Sequence, residues 1–549
     1  MFIMTVAVVA NAEPRRSDTI NLRTPLDIPL LLSGNFGELR RNHFHSGIDF
    51  KTQGKTGLPV FAVDDGFVSR VSVSPWGFGK AVYITHPVTG LTTVYGHLES
   101  FSPDIDRLVK ARQYNDETFS VDISFEPDRL PVKKGAVIAR SGNSGSSGGP
   151  HLHFDIRDTE SGDPLDPLEY FHSQIKDTAP PEVRELALYP INGGIVNGTS
   201  EKGTYLQPTA KKEFTGWGWV IPGIKAYDRM SGTSNIYGIK YLTLLLENDT
   251  IYHRKIDRFS FDDTRAVHTL VNYPDLVDKS AWFMTTRIAQ SDPLPYMVTA
   301  KNHGIINIDS EKPYHLTWIL ADEYGNTSRC PFTIIGKREL TSSPIAHGQL
   351  ALRDADNSIE DREVYIEIPA GALYDNEFID FKTYTDDKYL SKVISIGNTG
   401  IPLARSFTIS IPIDKDTLEN KNQYCLVRLS PSGITAEESV YSDGSIDASI
   451  SRFGSFAVSS DTKPPIISPI GKEKWKSSNI IKYKISDNLS GIKSWEGRVD
   501  GKWALFELDG KTGILSFRLD SNRFPGKSHT IELRVTDACG NIGSIRDKL

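Results

Sequence analysis

Four short stretches near the N-terminus hold side chains whose types and spacing can do chemistry. They are His45-Ser46-Gly47-Ile48-Asp49, Tyr95-Gly96-His97-Leu98, the glycine-rich run Ser141 to Pro150, and His151-Leu152-His153-Phe154 directly after it. A strand repeats every two residues, so His-x-His on a strand presents both imidazoles on one face. One of the two can bind a metal while its neighbour stays free to meet a substrate. His45 and Asp49 can add two further ligands from a bend eased by Gly47. Two imidazoles and one carboxylate suit zinc with one coordination position left open, the arrangement of hydrolytic sites. Such an ion keeps a net positive charge and drops the pKa of a bound water towards neutrality. Histidines left outside the ligand set can take protons or brace a developing oxyanion. The glycine run is not followed by Gly-Lys-Ser/Thr, which argues against a phosphate-binding loop.

These side chains need a framework, and the surrounding sequence reads as short strands. Leu58 to Val63, Gly66 to Val71, Ala81 to Thr85, Thr92 to Tyr95 and Ala136 to Ala139 are β-like runs broken at close spacing by Gly, Pro, Asp and Asn. That is the pattern of an antiparallel β-sheet or sandwich, and no stretch shows sustained helical periodicity. A long insertion, Ser102 to Leu130, reads either as a wall or cover of the site or as a solvated excursion.

The whole chain of 549 residues is long enough for three or four domains. With 38% hydrophobic and 24% charged residues it carries enough apolar mass for packed cores. Its 62 basic and 69 acidic residues give a net charge of −7, and no long Lys/Arg run occurs, which speaks against a general nucleic-acid binder. Cys330, Cys425 and Cys539 are too far apart in sequence for a cysteine zinc site or a dense disulfide framework. Met1 to Ala10 is apolar except for Thr5 and ends in the small-x-small pattern Ala10-Asn11-Ala12, although no Lys or Arg precedes it. The run is too short to span a bilayer but suits the apolar part of a secretory signal, so residues 1–12 are expected to be a signal peptide and the protein to be exported, to the periplasm, the cell surface or the medium. No other stretch is apolar for long enough to be a transmembrane segment.

The order of the motifs adds a resemblance. His45-Ser46-Gly47-Ile48-Asp49, Gly66-Phe67-Val68, Tyr95-Gly96-His97-Leu98, Val132-Lys133-Lys134-Gly135 and Ser141-Gly142-Asn143-Ser144-Gly145 through His151-Leu152-His153-Phe154 together resemble the lysostaphin/LytM-type zinc metalloendopeptidases over residues 33 to 170. The likeness implies an antiparallel β-sheet with a groove floored by the metal. It implies Zn2+ held by His45, Asp49 and His153, with His97 and His151 as the two catalytic histidines that do not ligate. It also implies a substrate, the peptide bonds of bacterial cell-wall peptidoglycan. All five positions hold chemically competent residues, which favours an active hydrolase. The alternative is a non-enzymatic protein of the same fold that binds peptidoglycan or activates another hydrolase.

Beyond this block the sequence repeats itself. Asp177-Thr178-Ala179-Pro180-Pro181 is matched by Asp461-Thr462-Lys463-Pro464-Pro465. Each is followed by D-x-x-S-G (Asp228 to Gly232; Asp487 to Gly491) and then by D-x-x-G-N (Asp322 to Asn326; Asp537 to Asn541). Three ordered matches argue for two copies of one β-sandwich module, resembling the immunoglobulin-like or fibronectin-like modules of bacterial surface proteins. A third β-type unit between them loosely resembles sandwich domains of ankyrins and netrin receptors. The expected architecture is therefore all-β: a peptidase domain at 13–176, then sandwiches at 177–340, 341–460 and 461–549, through which cell-envelope partners could be bound. Taken alone, 177–549 would fit a purely structural adhesin-like chain, which leaves the histidines unexplained.

Lesser candidates are read as follows. His43 is taken as a surface histidine, and Asn197-Gly198 as a turn rather than a glycosylation site. Trp217 and Trp219 are expected in the core. Asp354, Asp356, Ser358 and Asp361 lack the Gly and Glu of a calcium loop.

Overall fold

The computed structural model describes residues 20–209, 211–340, 347–361 and 364–549. The expected signal segment, 1–12, lies outside the described residues. Strands dominate throughout, as the alternating runs require. The N-terminal sheet runs in the order Leu32–Gly34, Ile48–Lys51, His151–Asp158, Leu91–Gly96, Lys80–His86, Gly66–Val73, Val121–Ser124. Every pairing in it is antiparallel. A smaller sheet of Pro59–Phe61, Val137–Arg140 and Ser100–Phe101 accompanies it. Leu152, Phe154 and Ile156 point from the His151–Asp158 strand into a core shared with Ile48, Phe50, Tyr95 and Ile138. Because the strand period is two, the same strand turns His151, His153, Asp155 and Arg157 to the opposite face.

The insertion holds a helix although its sequence shows no sustained helical periodicity. Pro103–Asn115 is a 13-residue helix opened by Pro103, with Asp104 and Asp106 in its first turn. Proline tolerates the first helical position, and carboxylates there complement the helix dipole. Asp106–Lys110 and Arg112–Asp116 are spaced i,i+4 along it. Only Ile105, Val109 and Gln113 are buried, so the apolar stripe is narrow. That narrowness hides the helix from a hydrophobic-periodicity reading.

Residues 177–340 build an 11-stranded sheet around the 15-residue strand Glu213–Tyr227. Residues 347–460 form two five-stranded sheets over one core, and residues 461–549 two four-stranded sheets over another. Trp219, expected in the core, is 38% exposed. Asn197 and Gly198 both take positive φ, as the expected turn requires. The cysteines are free and buried; Cys425 and Cys539 share one cluster with Val393, Val427 and Ala457.

The units are closely joined. Asn35 and Gly238 exchange hydrogen bonds in both directions (2.9 and 2.8 Å), and Phe259 packs on Phe36 and Phe44. Lys240, buried, pairs with Asp166 and Glu169 from the first unit and with Glu323 from its own. The last unit sits on the insertion: Trp503 meets Tyr114 edge-on at 5.0 Å, Arg523 lies 3.6 Å over the Tyr114 ring, and Trp495 packs on Phe119. The insertion is thus a seat for residues 461–549. On the same side Lys80 pairs with Glu507 (2.8 Å) and Lys511 reaches the Asn143 carbonyl.

Candidate metal centre and active-site groove

Antiparallel register brings the separated motifs together. Asp49 lies directly opposite His153 across one strand pair, and Gly96 lies opposite His153 on the other side, with His97 next along the chain. His45 enters from the bend before Ile48–Lys51. Gly47 is obligatory in that bend, since a Cβ there would stand 2.2 Å from the Phe154 carbonyl oxygen. Gly96 leaves room for the Phe78 ring and His153. His97 itself adopts φ +58, a left-handed conformation uncommon outside glycine and of the kind that gathers at functional sites.

Three ligand-type atoms converge. His45 Nε2 lies 3.1 Å from Asp49 Oδ1 and 3.0 Å from His153 Nδ1, and His153 Nδ1 lies 2.9 Å from Asp49 Oδ1. All three residues are buried. Three ligand atoms this close together could be held by one metal ion.

The hydrogen bonds behind the triangle test whether these residues fit a cation. His45 Nδ1 donates to the Asn35 carbonyl (2.7 Å), and His153 Nε2 donates to Asp155 Oδ1 (2.5 Å). With those ring nitrogens protonated, the facing nitrogens carry lone pairs, and Asp49 adds a carboxylate oxygen. Three electron-rich atoms at contact distance fit a divalent metal ion that accepts nitrogen and oxygen ligands, as zinc does. Burial opposes protonation of His153, but the Asp155 carboxylate, and then Asp49, push it up to about 9.

Several parts of this site escape the sequence reading. Asp155, fully buried, holds His153 and is itself held by Ser46 Oγ (3.1 Å) and by Arg157 Nε and Nη2 (3.0 and 2.5 Å). Arg40 Nη2 donates to Asp49 Oδ2 (2.9 Å) and to Glu38, which leaves Asp49 Oδ1 for the centre. The alternation His151, His153, Asp155, Arg157 is the signal that marks two of these residues. Nothing local marks Asn35 or Arg40.

His97 and His151 stand beside the triangle, their rings 4.7 Å apart. His97 Nδ1 donates to the Ser144 carbonyl (2.8 Å) and His151 Nδ1 to the Gly149 carbonyl (2.8 Å), which leaves each Nε2 on the groove side, that of His151 lying 3.4 Å from Asp49 Oδ1. Both carbonyls belong to the glycine-rich run, which thereby orients the two rings. Burial, then the His153 and His151 imidazoles, hold His97 down to about 3, a neutral ring at pH 7. The groove, about 670 Å3, is lined by both histidines, Asp49, Arg40, Ser146 to Pro150 and, from the second unit, Asn235. His43 is exposed outside it. A cavity of about 790 Å3 between the second and third units, bordered by Tyr205, Asp275 and Arg287, holds none of the three clusters of metal-type ligands found among the described residues.

Residues 43–114 match the model of peptidase family M23. The chain carries an M23 peptidase domain of the LytM/lysostaphin type. An uncharacterized metalloprotease of Haemophilus influenzae is 35% identical over 140 residues, 24% of each chain. The DD-carboxypeptidase/endopeptidase Mpg of Neisseria meningitidis is 33% identical over 124 residues, 23% of this chain and 22% of its own. The peptidoglycan DD-endopeptidase ShyC of Vibrio cholerae is 33% identical over 142 residues, 25% of this chain and 26% of its own. The chain thus spans about a quarter of the length of these curated relatives. Among solved structures, a catalytic domain of the prophage-encoded M23 protein EnpA from Enterococcus faecalis is 26% identical and covers 25% of this chain and 89% of its own, with a TM-score of 0.19. Residues 349–461 match a Zu5-like domain, the stretch whose sequence suggested the sandwiches of ankyrins and netrin receptors. The M23 domain is followed by β-rich units, one of them the Zu5-like stretch.

Proposed function

We propose that the protein is a zinc-dependent endopeptidase that hydrolyses peptide bonds of bacterial peptidoglycan outside the cytoplasm. The observation that carries this reading is the triangle of His45 Nε2, Asp49 Oδ1 and His153 Nδ1, open towards a groove shared by His97 and His151. When bound there, zinc supplies Lewis acidity to polarise a carbonyl and lower the pKa of water. The chain supplies the rest. Asn35 and Asp155 fix the two imidazole ligands, and Arg40 fixes the carboxylate. His97 and His151 present Nε2 to the groove, placed to accept a proton and to donate one to a developing charge. The peptidoglycan substrate is supported by the DD-endopeptidases among the relatives. Export agrees with that substrate, and no helix among the described residues is long and apolar enough to cross a membrane.

The test is release of soluble muropeptides from purified cell walls, read by mass spectrometry. Chelation should stop release and added zinc restore it, and His153→Ala should lose both metal and turnover. Turnover that survives removal of zinc contradicts the proposal. Zinc binding without any released product identifies a binder instead.

A further inference from the structure

The two repeated modules share more than a sequence pattern. The structure brings Asp177, Asp228 and Asp322 together in one module and Asp461, Asp487 and Asp537 in the other, with one carboxylate oxygen of each lying within 4.8 Å of the other two. These are the first aspartates of the three motifs, taken in the same order. The supporting hydrogen bonds recur as well. Ser231 N donates to Asp177 (2.8 Å), and Ser490 N donates to Asp461 (2.9 Å). Asn326 donates to Asp322 through its backbone N (2.8 Å) and its side chain (2.7 Å); Asn541 donates to Asp537 in the same two ways, both at 2.8 Å.

What these bonds leave open recurs too. The middle aspartate of each cluster keeps one buried oxygen without any donor, Asp228 Oδ1 and Asp487 Oδ1, and Asp177 Oδ2 is open in the same way. Asp177 and Asp228 are only 7% and 4% exposed, and with Asp322 they line one small cavity. Among the described residues no lysine or arginine forms an ion pair with any of the six. Lys240, which borders the first cavity, is engaged by Asp166, Glu169 and Glu323. Buried carboxylate oxygens without a donor, held among other carboxylates, are costly unless a cation joins them.

We propose that each cluster is a calcium site. The donors are all hard carboxylate oxygens, with no imidazole or thiolate, which selects an alkaline-earth ion over zinc. Calcium bonds of about 2.3–2.6 Å let one ion reach oxygens up to about 5 Å apart, and calcium accepts the irregular, protein-built cages that magnesium avoids. Each site stands where a module begins. Asp177 follows the peptidase unit, and Asp461 closes the Zu5-like stretch. Asn541 ties the second site to that stretch, accepting from Gln423 at 2.7 Å and donating to the Asp461 carbonyl at 2.9 Å. The cations therefore fix how successive units are joined.

Zinc-loaded full-length protein, dialysed free of calcium, should bind two Ca2+ per chain by calorimetry and by elemental analysis. Asp228→Asn and Asp487→Asn should each remove one ion, and the double variant both. The rise in melting temperature on adding calcium should vanish in the double variant. Circular dichroism of the calcium-free variants should match that of the calcium-free wild type. If a variant does not fold, the wild-type stoichiometry still decides. Fewer than two ions on the wild type, unchanged stoichiometry in both single variants, or magnesium binding as tightly as calcium overturns the proposal.

Discussion

Asp155 is the sharpest place to test how the centre is assembled, because it touches no metal position yet governs one. Its Oδ1 accepts from His153 Nε2 at 2.5 Å, while Arg157 holds Oδ2. Asp155→Asn keeps the shape but removes the charge. It also offers an amide that can donate to His153 Nε2, which would move the ring proton to Nδ1 and occupy the lone pair aimed at the centre. Loss of such a partner typically weakens metal affinity by about 10–100-fold, or about 1.4–2.7 kcal/mol. Zinc affinity, measured by competition with a chromophoric chelator, should fall by that factor, and wall hydrolysis at limiting zinc should fall with it. Arg157 would be left beside a neutral partner, which carries a folding cost of its own. Asp155→Asn combined with Arg157→Gln separates the two effects, since it removes the stranded charge without restoring the ligand's orientation. Ser46→Ala, which deletes only the 3.1 Å bond to Asp155, should have a much smaller effect. A folded Asp155→Asn protein that binds zinc within about twofold of wild type, well short of that range, would refute this account of the centre.

Other consequences are as direct. Gly47→Ala must displace the Phe154 carbonyl or the bend itself, so zinc affinity should be lost although no ligand has changed; metal content of the purified variant checks it. Lys240→Met leaves the buried Asp166 and Glu323 beside the half-buried Glu169 without a cation, and denaturant unfolding should show a loss of about 3–5 kcal/mol. Burial opposes the Lys240 charge, but Asp166 and Glu323 raise its pKa well above the ordinary lysine range. On the lysine side the contribution is complete below about pH 10 and is lost as pH rises through the raised value, so the deficit of the variant should shrink in strong alkali, and it should shrink in acid too as the partner carboxylates, Asp166 with its raised pKa among them, take up protons. Tyr114→Ala removes the ring that Trp503 and Arg523 share. It should loosen the last unit, read as faster limited proteolysis near residue 461, while zinc content stays at one ion per M23 centre.

The extent to which the site could be read from sequence follows from where its information is stored. His45, Asp49, His97, His151 and His153 are marked by local motifs, because a strand of period two and a glycine bend fix their directions within a few residues. Asp155 and Arg157 belong to the same alternation and are legible from it, since the strand period that aims His151 and His153 aims them to the same face. Asn35 and Arg40 were not legible, since their roles depend on a carbonyl direction and a guanidinium reach set by tertiary packing, including the bonds between Asn35 and Gly238 of the next unit. The insertion helix was missed for a different reason. Its stability comes from a proline start, charge pairs and a partner more than 350 residues away, none of which produces an apolar stripe. The aspartate motifs show the opposite failure. The repeat was visible and was read only as evidence of duplication, while a faint acidic run at Asp354 to Asp361 attracted the calcium question. Recurrence of the same polar residues at the same places in two copies constrains chemistry as well as ancestry, because a fold needs its apolar pattern repeated but has no need to repeat three carboxylates that face one another.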